Sequence, residues 1–294
     1  MSDRNEIRDF LTSRRARITP ERAGLPAYGG NRRVPGLRRE EVAMLAGVSV
    51  DYYTRLERGN ARGASDTVLA ALAGALHLDE AERAHLFDLV HAADPGTPVR
   101  APRRAAGQQV RPAVRRVLDS MTASPAYLRD GHLDILAANQ LGRALFSPLF
   151  DSIARPANPA RFLFLDPRAA EFYLDWEPIA RDTVALLRSL AGHNPHDRAL
   201  SNLIGELSTR SDAFRQLWAA HNVRFHRSGI KRFHHPVVGE LTLTFEALDL
   251  AADDGLRISV YTAEPGTPSH DALNLLASWA ATTDQAGRTA DQEA

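Results

Sequence analysis

The sequence predicts a two-domain chain, with an all-α N-terminal domain organised around a helix-turn-helix and an α+β C-terminal domain. Three observations predict it. The 294 residues suit two domains at roughly 100–200 residues each. Short blocks with apolar residues at helical spacing fill residues 3–92, with capping residues between them. Beyond a Pro- and Gly-rich stretch at 94–107, the turn signals Asp130-Gly131 and Asp254-Gly255 each separate short apolar runs, the pattern of antiparallel hairpins.

The elements follow in order. Residues 3–17 form a helix with Ile7, Phe10 and Leu11 on one face. Thr19-Pro20-Glu21 reads as a cap with Pro at the first helical position, opening a short further turn. Gly24 to Gly36 is a breaker-rich loop or small hairpin carrying Arg32-Arg33. A helix over 38–46 places Val42, Leu45 and Ala46 on one side. Gly47 ends it, because glycine tolerates the positive φ of a tight turn. Ala43 lets the flanking helices approach, and Val48 plugs the turn into the core. Ser49 caps the next helix, 50–58, which buries Leu56 and either Tyr52 or Tyr53. Ser65-Asp66 caps a helix with Leu69, Leu72, Ala73 and Leu76 inward, and Asp79-Glu80 opens a fifth, 80–92, with Leu86, Leu89 and Val90 inward.

In the second half the spacing predicts helices over 111–121, 141–150, 168–190, 197–220 and 270–279. One hairpin is expected at 126–139 and another from strands 237–250 and 256–261. Two hairpins flanking a helical middle imply an antiparallel sheet with helices laid on one face. The expected boundaries are 1–93, a linker at 94–108, a domain at 109–281 and a flexible tail at 282–294.

Net charge is zero, but it is unevenly spread. Residues 1–62 hold 13 Arg against 8 Asp and Glu, and residues 95–118 hold 6 Arg and no acid. Basic blocks of this kind meet nucleic acid or simply stay solvated. Lys231 is the sole Lys, a bias of the kind a GC-rich genome imposes. The absence of Cys excludes disulfides, thiolate metal sites and a Cys nucleophile, which suits a cytoplasmic protein. No apolar run follows Met1 as in a signal peptide, and no stretch reaches the roughly 18 apolar residues of a membrane span.

In a helix-turn-helix the first residues of the second helix point outward, where a major groove would lie. An ordinary αα-hairpin shares that outline, so the motif gains its weight from the whole block. GLRREEVAMLAGVSVDYYTRLERGNARGASDTVLAALAGALHLDEAERAHL, preceded by RRVPG, resembles the XRE/Cro-type repressors and, more narrowly, the MmyB-like subset of bacterial regulators. The resemblance continues in HPVVGELTLTFEAL and VYTAEPGTPSHDALNLLASW, and so covers about residues 3–280.

The resemblance implies a lambda-repressor-like N-terminal domain and a PAS-like C-terminal one. It places Arg39, with Arg38 beside it, at the start of the helix that supports the recognition helix and touches phosphate. It puts Val50, Asp51, Thr54 and Arg55 in base-facing slots, Ser49 and Tyr53 at the DNA backbone, and Arg58 and Arg62 on phosphates. Glu57 is the family's structural Glu, expected to pair with an Arg. Arg can read guanine through two hydrogen bonds. Asp51 would accept from cytosine N4 or serve only the helix N-terminus. The Arg32-Arg33 loop would act as a wing on DNA or as a solvated loop.

Of the 20 aromatic residues, 15 lie after residue 100. Phe162, Phe164, Phe172 and Trp176 cluster in sequence, and Phe214 and Trp218 follow at helical spacing. They read either as core or as the wall of a pocket. The resemblance favours a pocket for a small lipophilic ligand, a fatty acid being known for the family. His193, His196, His221, His226, His234 and His235 invite a metal reading. No H-x-x-x-H spacing or Cys supports it, so neither metal nor cofactor is expected. No Gly-rich phosphate loop, G-x-S-x-G elbow or recognisable carboxylate pair points to catalysis.

The sequence therefore predicts a non-enzymatic, homodimeric transcription regulator, a repressor, with double-stranded DNA and a lipophilic small molecule as partners and no membrane association. In the alternative, the helix-turn-helix docks proteins beside a small-molecule-binding or enzymatic domain.

Overall fold

Capped helices build the N-terminal part. A computed structural model describes residues 3–25, 36–93, 110–152, 156–194, 197–220 and 228–292. The expected linker and the Arg32-Arg33 pair lie outside these residues. The first helices are α1 (Asp3–Arg17), α2 (Arg39–Leu45), α3 (Val50–Glu57), α4 (Asp66–Ala75) and α5 (Glu80–Ala92). Ser49, Ser65 and Asp79 cap α3, α4 and α5 as the sequence indicates. Ile7, Phe10, Leu11, Val42, Tyr53, Leu56, Leu69, Leu72, Leu86 and Leu89 share one core, and each such side chain contributes about 1.5–3 kcal/mol when fully buried. On α2 the inward set is Val42, Ala43 and Ala46; Leu45 is exposed, so the expected stripe is rotated toward Ala43. Gly36 is required by close approach, because a Cβ there would sit 2.5 Å from the Arg15 carbonyl oxygen.

The remaining elements are α6 (Pro112–Ser120), β1 (Ala126–Arg129), β2 (Ile135–Ala138), α7 (Gln140–Leu145), α8 (Ser147–Phe150), α9 (Pro159–Leu165), α10 (Ala169–Phe172), α11 (Trp176–His193), α12 (Arg198–Arg210), α13 (Asp212–Ala219), β3 (Ser228–His235), β4 (Gly239–Asp249), β5 (Arg257–Thr262) and α14 (Pro268–Gln292). All five strands form one antiparallel sheet in the order β2-β1-β5-β4-β3. The two expected hairpins therefore join through β1 and β5. Three expected helices are each broken in two: at Phe146, at Tyr173–Asp175 and at Ser211. The strand β3 and the helix α9 were not anticipated, and the last helix runs on to Gln292 rather than ending near Trp279.

The structure divides into two compact units. The first gathers α1–α5 with α11 from Val184 onward and α13 from Trp218 onward. The second holds all the strands and the other helices. In it, one sheet face carries Tyr127, Phe233, Leu241, Leu243, Phe245 and Tyr261 into a core with Phe146, Phe162, Phe172 and Tyr173. The opposite face is covered in part by α6, through Val114 and Leu118 against Leu128 and Ile258.

Candidate functional site

The helix α3 is anchored by its back. Tyr53, Leu56 and Glu57, spaced i, i+3 and i+4, are all buried. That spacing turns Val50, Asp51, Arg55 and Arg58 outward, and all four are exposed. Gly47, at φ +66°, makes the turn that sets the start of α3, and the Ser49 hydroxyl accepts from the Tyr52 amide at 3.1 Å. Thr54 is half-buried, and Arg62 is exposed beyond the helix end.

Glu57 is the electrostatic centre of this arrangement. Only 1% exposed, it accepts from Arg15 Nε at 2.8 Å and Thr12 Oγ1 at 3.3 Å on one oxygen, and from Arg39 Nε on the other. Arg15 also donates to the Leu37 carbonyl oxygen at 2.8 Å. One buried carboxylate thus ties α1, the entry to α2, and α3 together. The hydrogen bond to Glu57 raises the Arg39 pKa further, and half of the Arg39 side chain still faces solvent. By contrast, Arg38, Arg55, Arg58 and Arg62 are exposed and form no ion pair among the described residues. The Arg55 guanidinium stacks over the Tyr52 ring at 4.9 Å, which stiffens it at the helix surface.

The second unit presents a wall of rings. Phe162 and Phe172 meet edge-to-face at 5.8 Å, Phe164 and Trp176 at 6.0 Å, and Phe164 and Phe214 at 5.1 Å. Trp176 Nε1 donates to the Leu163 carbonyl oxygen at 3.0 Å, which fixes the indole. An open groove of about 510 Å³ lies on the opposite sheet face, lined by Ser120–Ser124, Glu246, Leu248, Val260 and Thr262.

Two family models match this architecture. Residues 6–86 match a helix-turn-helix domain, and residues 110–276 match the MmyB-like transcription regulator ligand binding domain. The chain belongs to the MmyB-like transcription regulators. Curated proteins offer no match to it. Its two matched domains make it a DNA-binding transcription regulator with a ligand-sensing domain, and both families are regulatory. Among the described residues, no helix is long and apolar enough to cross a membrane.

In this MmyB-like regulator two expected site residues lie elsewhere than the sequence suggested. Tyr53 is completely buried in the helical core, and burial pushes its phenol up, so it cannot reach a DNA backbone. Its spacing with Leu56 and Glu57 was the signal that separates it from Tyr52. Trp218 groups with the first unit, where the Arg188 guanidinium covers its ring at 4.2 Å, and so stands apart from the other five aromatics. Phe162, Phe172 and Phe214 are core residues, while Phe164 and Trp176 are half-buried. None of the six lines the open groove.

Sequence reasoning missed Arg15 and Thr12 as partners of Glu57, because the pairing joins residues more than 40 positions apart. The histidines resolve differently. His235 is 1% exposed; its Nδ1 accepts from the Val237 amide at 3.2 Å and its Nε2 meets the Ala144 carbonyl oxygen at 3.0 Å. Both nitrogens are taken, which fixes the neutral tautomer. His234 faces the other side of the strand. His196, His221 and His226 lie outside the described residues.

Proposed function

We propose that this MmyB-like regulator is a homodimeric repressor whose α3 reads the major groove and whose C-terminal domain senses a small lipophilic ligand such as a fatty acid. The observation that carries the reading is the outward face of α3, with Val50, Asp51 and Arg55 exposed over a locked back face, and with Arg38, Arg58 and Arg62 exposed around it and in no ion pair among the described residues. Arg55 suits bidentate readout of guanine, with Val50, Thr54 and Asp51 beside it. Ser49, Arg38, Arg39, Arg58 and Arg62 suit phosphate contacts. Phe162, Phe164, Phe172, Trp176 and Phe214 supply the apolar environment for the ligand. The protein would act in the cytoplasm, without membrane or cofactor.

The test uses fluorescence anisotropy with the duplex that the full-length protein selects from a random library. Phosphate neutralisation predicts a loss of affinity by orders of magnitude between about 50 and 200 mM salt. Arg55→Ala should lose discrimination between selected and scrambled duplexes by about 1–3 kcal/mol, and Arg58→Ala should weaken both about equally. No selected duplex and no salt-dependent binding would leave the protein-docking alternative standing.

A further inference from the structure

In the first unit, the large hydrophobic side chains left exposed among the described residues are Met44, Leu45 and Val50, at 62%, 36% and 42%. All three belong to the helix-turn-helix, at the end of α2 and the start of α3. The turn that joins them is fixed by its own hydrogen bonds. The Gly47 amide donates to the Met44 carbonyl oxygen at 3.2 Å, and the Val48 amide to the Ala43 carbonyl oxygen at 3.0 Å. Val42, Ala43 and Ala46 enter the core and Val48 packs against it, so Met44, Leu45 and Val50 are what the motif leaves outside.

Single exposed hydrophobes are ordinary on a protein surface. A group gathered at one turn, and nowhere else among the described residues of the unit, calls for an apolar partner. Val50 indicates which one. It opens α3 on the same outward side as Asp51 and Arg55, the face proposed above to enter the major groove. Base edges in that groove present hydrogen-bond donors and acceptors and one apolar group, the C5 methyl of thymine. Valine suits that methyl, because branching at Cβ holds it in essentially one rotamer in a helix and the contact costs little side-chain entropy. The neighbouring side chains are committed otherwise. Asp51 and Arg55 are charged, and the Tyr52 ring is half-buried and engaged by the Arg55 guanidinium at 4.9 Å.

We infer that Val50 reads a thymine in the operator half-site through its C5 methyl, with Met44 and Leu45 extending the apolar margin of the motif. This rests on the DNA-binding reading above and adds a second base to it. Arg55 recognises guanine through hydrogen bonds, whereas Val50 recognises thymine through apolar contact. A methyl contact carries no charge, so salt that weakens the phosphate contacts leaves it in place.

The experiment is fluorescence anisotropy of the full-length protein on its selected duplex, with each thymine of one half-site replaced in turn by uracil. Uracil pairs with adenine, keeps every donor and acceptor of thymine and lacks only the methyl. One replacement should weaken wild-type binding about fourfold, the worth of one buried methyl-sized group. The ratio should be the same at about 50 and 200 mM salt, although both affinities fall between them. Val50→Ala should bind the thymine duplex about fourfold more weakly and no longer distinguish uracil at that position, while keeping the discrimination assigned to Arg55. Val50→Ile keeps a branched apolar group and should keep the preference for thymine, which covers the case where the Ala variant fails to fold. Uracil tolerated at every position, or a selected half-site without thymine, would overturn the inference and leave the DNA-binding reading intact. A uracil effect that survives in Val50→Ala would assign the methyl to another residue and overturn it as well. No selected duplex and no salt-dependent binding would overturn the DNA-binding reading, and this inference with it.

Discussion

Glu57 shows how one side chain can set the geometry of an interface that it does not itself form. It is buried behind α3 and takes hydrogen bonds from Thr12, Arg15 and Arg39. Removing one partner of a buried pair leaves the other charge uncompensated, at a cost of about 3–5 kcal/mol. Glu57→Ala should therefore destabilise the helical unit by that amount, read as loss of amide-exchange protection in α3. Arg39→Ala removes a half-exposed partner and should cost about 1 kcal/mol or less in stability while still weakening DNA binding. Equal loss of stability in the two variants would show that Arg39 carries the anchoring. The adjacent tyrosines divide in the same way. Tyr53→Ala empties a core position and should cost about 3–5 kcal/mol, whereas Tyr52→Ala removes a half-buried ring at the edge of that core together with its stack on Arg55, and should cost less.

Between elements, α5 meets the end of α11 through His193 Nδ1 and Asp88 Oδ2 at 2.7 Å. The hydrogen bond to Asp88 raises the His193 pKa. A folded pKa above the unfolded one means that the contact stabilises fully below about pH 6.5 and fades as pH rises through the folded value. Asp88→Asn should lower the melting temperature at pH 5.5, and the deficit should shrink by pH 8.5. A deficit independent of pH would show that the aspartate acts through packing alone. The elements that the sequence revealed are those whose signals are local. Ser49, Ser65 and Asp79 announce three helices through their caps, and Asp130-Gly131 announces a hairpin. The strand β3 stayed hidden because its inward positions read Gly229, Lys231, Phe233 and His235, with only one strong hydrophobe among four. Its place is fixed by pairing with β4 along the whole strand, a non-local fact. The helix α9 had a legible start, Asn158-Pro159, whose side chain accepts from the Ala160 and Arg161 amides, but a run of only seven residues. On the interface, exposure of Val50, Asp51 and Arg55 followed from helical period, whereas the Arg15–Glu57 pairing depends on chain closure.

At the scale of the whole molecule, regulation is a linkage between two ligands, DNA and the small molecule. If a small molecule held by the C-terminal domain favours one arrangement of the proposed dimer, it changes operator affinity by some factor, commonly 5–150-fold for coupled sites. Thermodynamics then requires DNA to change the affinity for the small molecule by the same factor. Both halves of the cycle can be measured on the full-length protein, with decanoate or 2-naphthoate as the probe. Operator affinity is read by anisotropy at zero and saturating probe, and probe affinity by titration of the free and operator-bound protein. The two ratios should agree. The proposed dimer imposes a second, geometric condition. Two recognition helices on one face of B-DNA meet half-sites about 10–10.5 base pairs apart, so five extra base pairs at the centre of the selected duplex turn one half-site to the far side. That duplex should fall to the affinity of a single half-site. If it keeps full affinity, each α3 binds independently, and the small molecule would have to act within one chain rather than by respacing a pair.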